Sequence, residues 1–168
     1  MQRQMNANEL EDFYQRVGAA IWHVQYLEDV LVSFLAMKTI SPRRSSGQAT
    51  AAEMDALLAQ KRRLTLGPLI SACIGQNIIT RALETRFGTF KTDRHWLVHR
   101  SLVESGDDLF NEAMRETVLR RILSVQEEAI VLKKLIAVEM EAWLVGQGLD
   151  VKRAAEHGEA AYRKLAGQ

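Results

Sequence analysis

The chain has 168 residues, of which 47% are apolar and 26% charged, and this composition excludes a disordered protein. The length fits one domain, residues 1–168, and the single Cys73 excludes an internal disulfide and a cysteine-cluster metal site. No apolar run is long enough to cross a bilayer and residues 1–11 lack a signal-peptide core, so we expect a cytoplasmic protein with no membrane contact.

Apolar residues recur at three- and four-residue spacings, which predicts helices along most of the chain. The first helix is long and runs from Glu9 to Met37. A basic connection with Pro, Gly and Ser follows over residues 40–50. A second helix is expected over residues 51–63. A third opens at Thr65, its expected N-cap, and ends near Gly75.

The fourth helical segment begins near Asn77, and Gly88 is expected to break it. A fresh helix then starts near Thr92 and runs to about Val103. The last helix is long, from roughly residue 108 to residue 145. The sequence therefore predicts an all-α protein, an up-and-down bundle of about four to five helices with long first and last helices.

The folded core is expected to cover about residues 10–145. Two glycines, Gly146 and Gly148, should end the last helix. Residues 146–168 are then a C-terminal tail or a short helix. The first and last helices are longer than a small bundle needs to cover its own core, and the surplus apolar surface favours a homodimer.

Chemistry-bearing side chains concentrate at residues 94–100, with the sequence RHWLVHR. Arg stays charged and grips phosphate with a planar fork of donors, and His exchanges a proton most readily near neutral pH. On a regular α-helix, residues four apart share a face, whereas residues five apart lie about 140° around the axis. The spacing thus pairs His95 with His99 on one face of the helix and leaves Arg94 at the rim of the site that the two imidazoles form.

Two interpretations of this stretch compete with a catalytic role for Arg94 and the histidines themselves. In the first, both histidines are partly buried surface residues and Arg94 pairs with an acid, since Arg and His five residues apart are common by chance. In the second, His-x-x-x-His is half of a metal site. The missing ligands would then have to come from Glu28 or Asp29 of the first helix. Our preferred interpretation has no metal and no cofactor.

The stretch also resembles the Arg-x-x-x-x-His signature of the HEPN superfamily (higher eukaryotes and prokaryotes nucleotide-binding). His95 fits the polar position beside the motif Arg, and Leu97 and Val98 match the usual apolar approach to the motif His. The resemblance covers roughly residues 10–145. Further features that resemble members of this group are Trp22 and the pair Glu28-Asp29 on the first helix, Thr65-Leu66-Gly67 at the start of a helix, and the long last helix.

The resemblance implies a homodimer of helical bundles whose motifs face each other across a cleft. In the ribonuclease members it implies a metal-independent endoribonuclease that leaves 2′,3′-cyclic phosphate ends, in many cases a toxin or defence effector with a cognate antitoxin protein. Arg94, His99 and His95 would then be the catalytic residues. The alternative is a non-catalytic module of the same fold that binds nucleic acid, a nucleotide or a protein partner. A structural bundle with accidental spacing is the third interpretation.

Charge is unevenly distributed along the chain. Residues 38–100 carry eleven bases and four acids, a balance of +7, whereas residues 1–37 and 101–168 each balance at −3. A local positive field favours a polyanion, which agrees with RNA as substrate. The arginines that we expect to bind the flanking phosphates are Arg100, Arg43, Arg44, Arg62 and Arg63.

Overall fold

The computed structural model describes residues 3–44 and 50–150, and of residues 43 and 44 the backbone alone. Its α-helices are α1 (Ala7–Arg44), α2 (Ala51–Lys61), α3 (Leu66–Gly75), α4 (Arg81–His95), α5 (Ser101–Ser105) and α6 (Glu112–Gly146). A π-helical turn, Trp96–Arg100, joins α4 to α5, and a 3₁₀ turn, Asp107–Phe110, leads into α6. No residue of the described ranges is in a β-strand, so the predicted all-α class is confirmed.

The five longer helices alternate in direction along the chain. Helices α1 and α6 are parallel, because Glu9 pairs with Arg115 at one end and the Phe34 ring lies 5.7 Å from that of Trp143 further along. Helix α4 is antiparallel to α6, as the ion pairs Arg86–Glu128 and Asp93–Arg121 require. An up-and-down bundle with an odd number of long helices has parallel first and last helices, and here these two lie side by side.

The core lies between α1 and α6 and is closed by α3 and α4. Its largest fully buried side chains include Leu27, Leu31, Phe34, Phe87, Phe90, Ile122, Leu132 and Ile136. Each such side chain contributes about 1.5–3 kcal/mol by leaving water. Cys73 is also buried, and burial raises the pKa of its thiol to about 12, so this sulfur is a core group.

Helix α1 is longer than predicted. It continues past Met37 and through Pro42 to Arg44, where the sequence analysis placed the basic connection. Ile40 is 8% exposed and extends the buried stripe into this region. Pro42 lies in the last turn, where its missing N–H removes one backbone hydrogen bond. Residues 45–49 of the predicted connection lie outside the described residues.

The predicted helix break at Gly88 is wrong. Helix α4 runs without interruption from Arg81 to His95. Glycine inside a helix costs about 1 kcal/mol relative to alanine. Phe87 and Phe90 on either side of it are 0% and 1% exposed, and burying two aromatic rings outweighs that cost. Arg94 consequently belongs to the last turn of α4 and not to the first turn of a new helix.

The end of α6 agrees with the prediction. The helix ends at Gly146, and Gly148 has φ of +76°, the left-handed conformation that favours glycine. The Leu149 N–H donates to the Leu144 carbonyl at 3.1 Å and the Gly148 N–H to the Val145 carbonyl at 2.9 Å, which is a Schellman motif. Of the predicted C-terminal tail, residues 151–168 lie outside the described residues. None of the described helices has the length and apolar character needed to span a membrane.

A charged cluster ties the beginning of α1 to α6. Glu9 accepts hydrogen bonds from Arg3 and lies 3.3 Å from Nη1 of Arg115, which is 6% exposed. Arg115 also donates from Nε to the Leu109 carbonyl at 3.1 Å. The Arg3 hydrogen bond, with further help from Asn6 and Arg115, lowers the pKa of Glu9 from 4.5 to about 2.

We expect Glu9→Gln to lower the melting temperature at neutral pH and to lose this effect in acid. The folded-state pKa of Glu9 is depressed, so its contribution is present above its ordinary value of 4.5 and is lost as the pH falls toward about 2. Thermal unfolding of both proteins, followed by circular dichroism from pH 7 to pH 2, measures the difference. A difference that does not change with pH would contradict the assignment.

Candidate functional site

A cavity of about 450 Å³ opens between the start of α3 and the end of α4. It is lined by Thr65, Leu66, Gly67, Lys91, Thr92, Arg94, His95 and His99. The three residues predicted as catalytic, Arg94, His95 and His99, are therefore brought together in one place. None of the described residues in this lining is acidic, which makes the cavity suited to an anion.

The π-helical turn brings Arg94 and His99 to the same face. The Ser101 N–H bonds to the Trp96 carbonyl five residues back, so this turn contains one residue more than an α-helical turn. Nη1 of Arg94 lies 3.4 Å from Nε2 of His99. The expectation that residues five apart point in different directions is wrong here, because it assumed a regular α-helix.

The two histidines form a pair at the mouth of the cavity. The ring centroids of His95 and His99 are 5.0 Å apart, with 49° between the ring planes. Both side chains are exposed, so their ring nitrogens can reach a bound substrate and exchange protons with water. The pairing agrees with their four-residue spacing in the sequence.

Glu28 of α1 holds Arg94 from the side opposite His99. Nε of Arg94 lies 3.1 Å from Oε1 of Glu28, and each side chain is 25% exposed. Because Nε is engaged by the carboxylate, the Nη1 end of the guanidinium remains directed at His99. From the sequence, Glu28 was expected as a possible metal ligand and as part of the acidic pair that resembles HEPN members, and its ion pair with Arg94 was not predicted.

For the metal alternative, the described lining of the cavity offers no third ligand beside His95 and His99. Glu28 is engaged by Arg94, and Asp29 lies 3.0 Å from Nη2 of Arg62. Within residues 3–44 and 50–150, no three side chains of His, Cys, Asp or Glu are grouped closely enough to hold a metal ion.

The arginines predicted to bind flanking phosphates do not line the cavity where their side chains are described. Arg62 pairs with Asp29 on α1, and Arg100 pairs with Glu104 one turn further along the helix at 3.0 Å. Arg63 is exposed and lies outside the lining. The side chains of Arg43 and Arg44 lie outside the described part of the chain.

Lys91 and Thr65 line the cavity and were missed by the sequence analysis. Lys91 precedes Arg94 by three residues, a spacing that puts both on one face of α4, and this was the signal that could have found it. Thr65 occupies the N-cap position of α3, as predicted, but its side chain forms no capping hydrogen bond.

The arrangement can perform acid–base chemistry on a bound anion. It offers one fixed guanidinium for negative charge and two imidazoles for proton transfer, all reachable from one cavity. A phosphate diester has the charge and the size that such a set of groups accommodates. Comparisons of the chain with models of protein families, with curated proteins and with solved structures gave no match.

Proposed function

We propose that this chain is a metal-independent endoribonuclease of the HEPN type, with its catalytic groups in the cavity between α3 and α4. The observation that carries the proposal is the 3.4 Å approach of Arg94 Nη1 to His99 Nε2 within a cavity whose lining, in the described part of the chain, is free of acidic residues. The resemblance of residues 94–100 to the HEPN motif supports it. The π-helical turn explains how an Arg and a His five residues apart can lie on the same face.

His99 acts as the general base in this proposal. Its neutral imidazole takes the proton of a ribose 2′-hydroxyl, and the oxygen attacks the adjacent phosphorus. A new bond forms between the 2′-oxygen and phosphorus while the bond from phosphorus to the 5′-oxygen breaks. The 3.4 Å contact between Arg94 and His99 is long for a hydrogen bond, so little interaction energy is lost when Arg94 turns to a phosphate oxygen and His99 to the 2′-hydroxyl.

Arg94 and His95 complete the reaction. The guanidinium of Arg94 donates to the non-bridging oxygens, where negative charge increases in the transition state. His95, in its protonated form, gives a proton to the departing 5′-oxygen. The products are a 2′,3′-cyclic phosphate and a 5′-hydroxyl end. A role as a toxin or defence effector in the cytoplasm, held in check by an antitoxin protein, belongs to the same proposal.

The proposal includes a homodimer whose two cavities lie close to each other. Three apolar side chains next to His99 are exposed to solvent. Val98 is 40% exposed, Leu102 79% and Val103 82%. Exposed apolar groups of this size beside a site are typical of a protein interface. A second copy of the chain would cover them and would enclose the bound phosphate more fully.

Cleavage of an end-labelled RNA pool in the presence of EDTA tests the proposal. We expect cleavage that persists in EDTA and leaves 2′,3′-cyclic phosphate ends, from a protein that light scattering shows to be a dimer. Loss of cleavage in EDTA would contradict the metal-independent mechanism. Salt-sensitive RNA binding without any cleavage would favour the non-catalytic binding module over the enzyme. A protein that is monomeric at all concentrations would contradict the proposed dimer.

A further inference from the structure

We infer that Lys91 binds a second phosphate of the RNA strand, next to the phosphate that reacts between Arg94 and His99. The inference rests on the proposed function for the identity of the substrate. It adds a positioning residue and a minimum substrate length, because a strand that fills both positions must carry two consecutive phosphates.

The position of Lys91 on α4 supports this inference. Lys91 and Arg94 are three residues apart, so their side chains leave the helix on the same face, with β-carbons about 5–6 Å apart. Both line the same cavity. His99 follows Arg94 across the π-helical turn, so the order along the helix axis is Lys91, Arg94, His99. A strand that follows this order presents one phosphate to Arg94 and His99 and the next to Lys91.

The charge of Lys91 is available to a ligand. Its ammonium group forms no hydrogen bond or ion pair with any described residue, and the side chain is exposed. Glu28, the carboxylate that contacts the cluster, is engaged by Arg94 at 3.1 Å. An unpaired cation beside an anion site raises the local affinity for a second negative charge.

The start of α3 faces Lys91 across the cavity. Gly67 has no side chain, and a β-carbon built there would lie 3.8 Å from Cδ of Lys91, so the stem of the lysine passes close to the start of α3. The hydroxyl of Thr65 makes no capping hydrogen bond and lines the same cavity. The Thr65 hydroxyl is thus a further donor on the wall of the cavity that Lys91 lines.

The first arm of the test compares short substrates that contain one cleavable ribose. A dinucleotide carries the reacting phosphate alone, and two trinucleotides carry one more phosphate on its 5′ or its 3′ side. We expect the wild type to prefer one trinucleotide by about tenfold in kcat/KM, the value of a hydrogen bond to a charged group. Lys91→Gln should abolish this preference by raising KM for the preferred trinucleotide, while kcat stays the same. Lys91→Arg should retain the preference.

Lys134→Gln is the matched control, since Lys134 is an exposed lysine of α6 outside the cavity lining. It should keep the trinucleotide preference. The inference is overturned if Lys91→Gln keeps it as well.

The second arm measures binding of a 2′-O-methyl oligonucleotide, which cannot be cleaved. For a single strand, each phosphate contact contributes about 0.7 to the slope of log K against log salt. Lys91→Gln should lower the slope by about this amount, and Lys134→Gln should not. If the slope falls but no RNA is ever cleaved, the enzyme proposal fails and the Lys91 inference stands. If RNA is cleaved but the slope is unchanged, the Lys91 inference fails alone.

Discussion

His99→Ala is expected to cleave RNA about 10³-fold more slowly than the wild type at neutral pH, because the general base is removed. The cleavage rate of Arg94→Ala should be about 10²–10³-fold below that of the wild type, because the negative charge that develops on the phosphate oxygens then has no fixed hydrogen-bond donor. The initial rate of RNA cleavage in EDTA measures both effects. The cleavage rate of the double variant should fall by less than the product of the two single reductions, because both groups act on the same transition state.

The matched control for this prediction is His23→Gln. His23 is a half-buried histidine of α1 whose ring lies 6.3 Å from that of Tyr26, and it does not line the cavity. It should cleave at the wild-type rate. Circular dichroism and the melting temperature must show that every variant is folded. Equal cleavage by His99→Ala and the wild type would indicate a contaminating nuclease or another site, and the proposed mechanism would fall.

The helices themselves could be predicted because their signal is local. The buried stripe of α6, which includes Ile122, Ala129 and Ile136, repeats at three- and four-residue spacings that are visible in the sequence. Gly88 was misread for the converse reason. Its local propensity argues for a break, whereas the burial of the neighbouring Phe87 and Phe90 depends on residues far along the chain.

The geometry of the candidate site could not be predicted, because it depends on contacts across the bundle. Trp96 and Leu97 are each 3% exposed, and the guanidinium of Arg121 on α6 lies 3.9 Å from the centroid of the Trp96 ring. This packing accompanies the π-helical turn that directs His99 toward Arg94. The sequence gives the residues of the motif, but the turn that aligns them depends on where α6 lies.

Glu28→Gln is expected to lower kcat by about 100-fold, the cost typical of a catalytic group misplaced by about 1 Å. Glu28 is a positioning residue, since its Oε1 holds Nε of Arg94 at 3.1 Å and thereby directs Nη1 toward His99. The KM should stay the same or fall, because removing a carboxylate beside an anion site strengthens phosphate binding. Steady-state kinetics on one short RNA separate the two constants.

The adjacent acid gives this prediction its control. Asp29 forms its ion pair with Arg62, at 3.0 Å, and not with Arg94. Asp29→Asn should therefore leave kcat and KM unchanged. Glu28→Asp keeps the charge on a shorter side chain and should recover part of the lost kcat. A purely structural role for Glu28 predicts a lower melting temperature with a normal kcat for the folded protein. That result would mean that Arg94 keeps its orientation without the ion pair, and that the π-helical turn alone aligns it with His99.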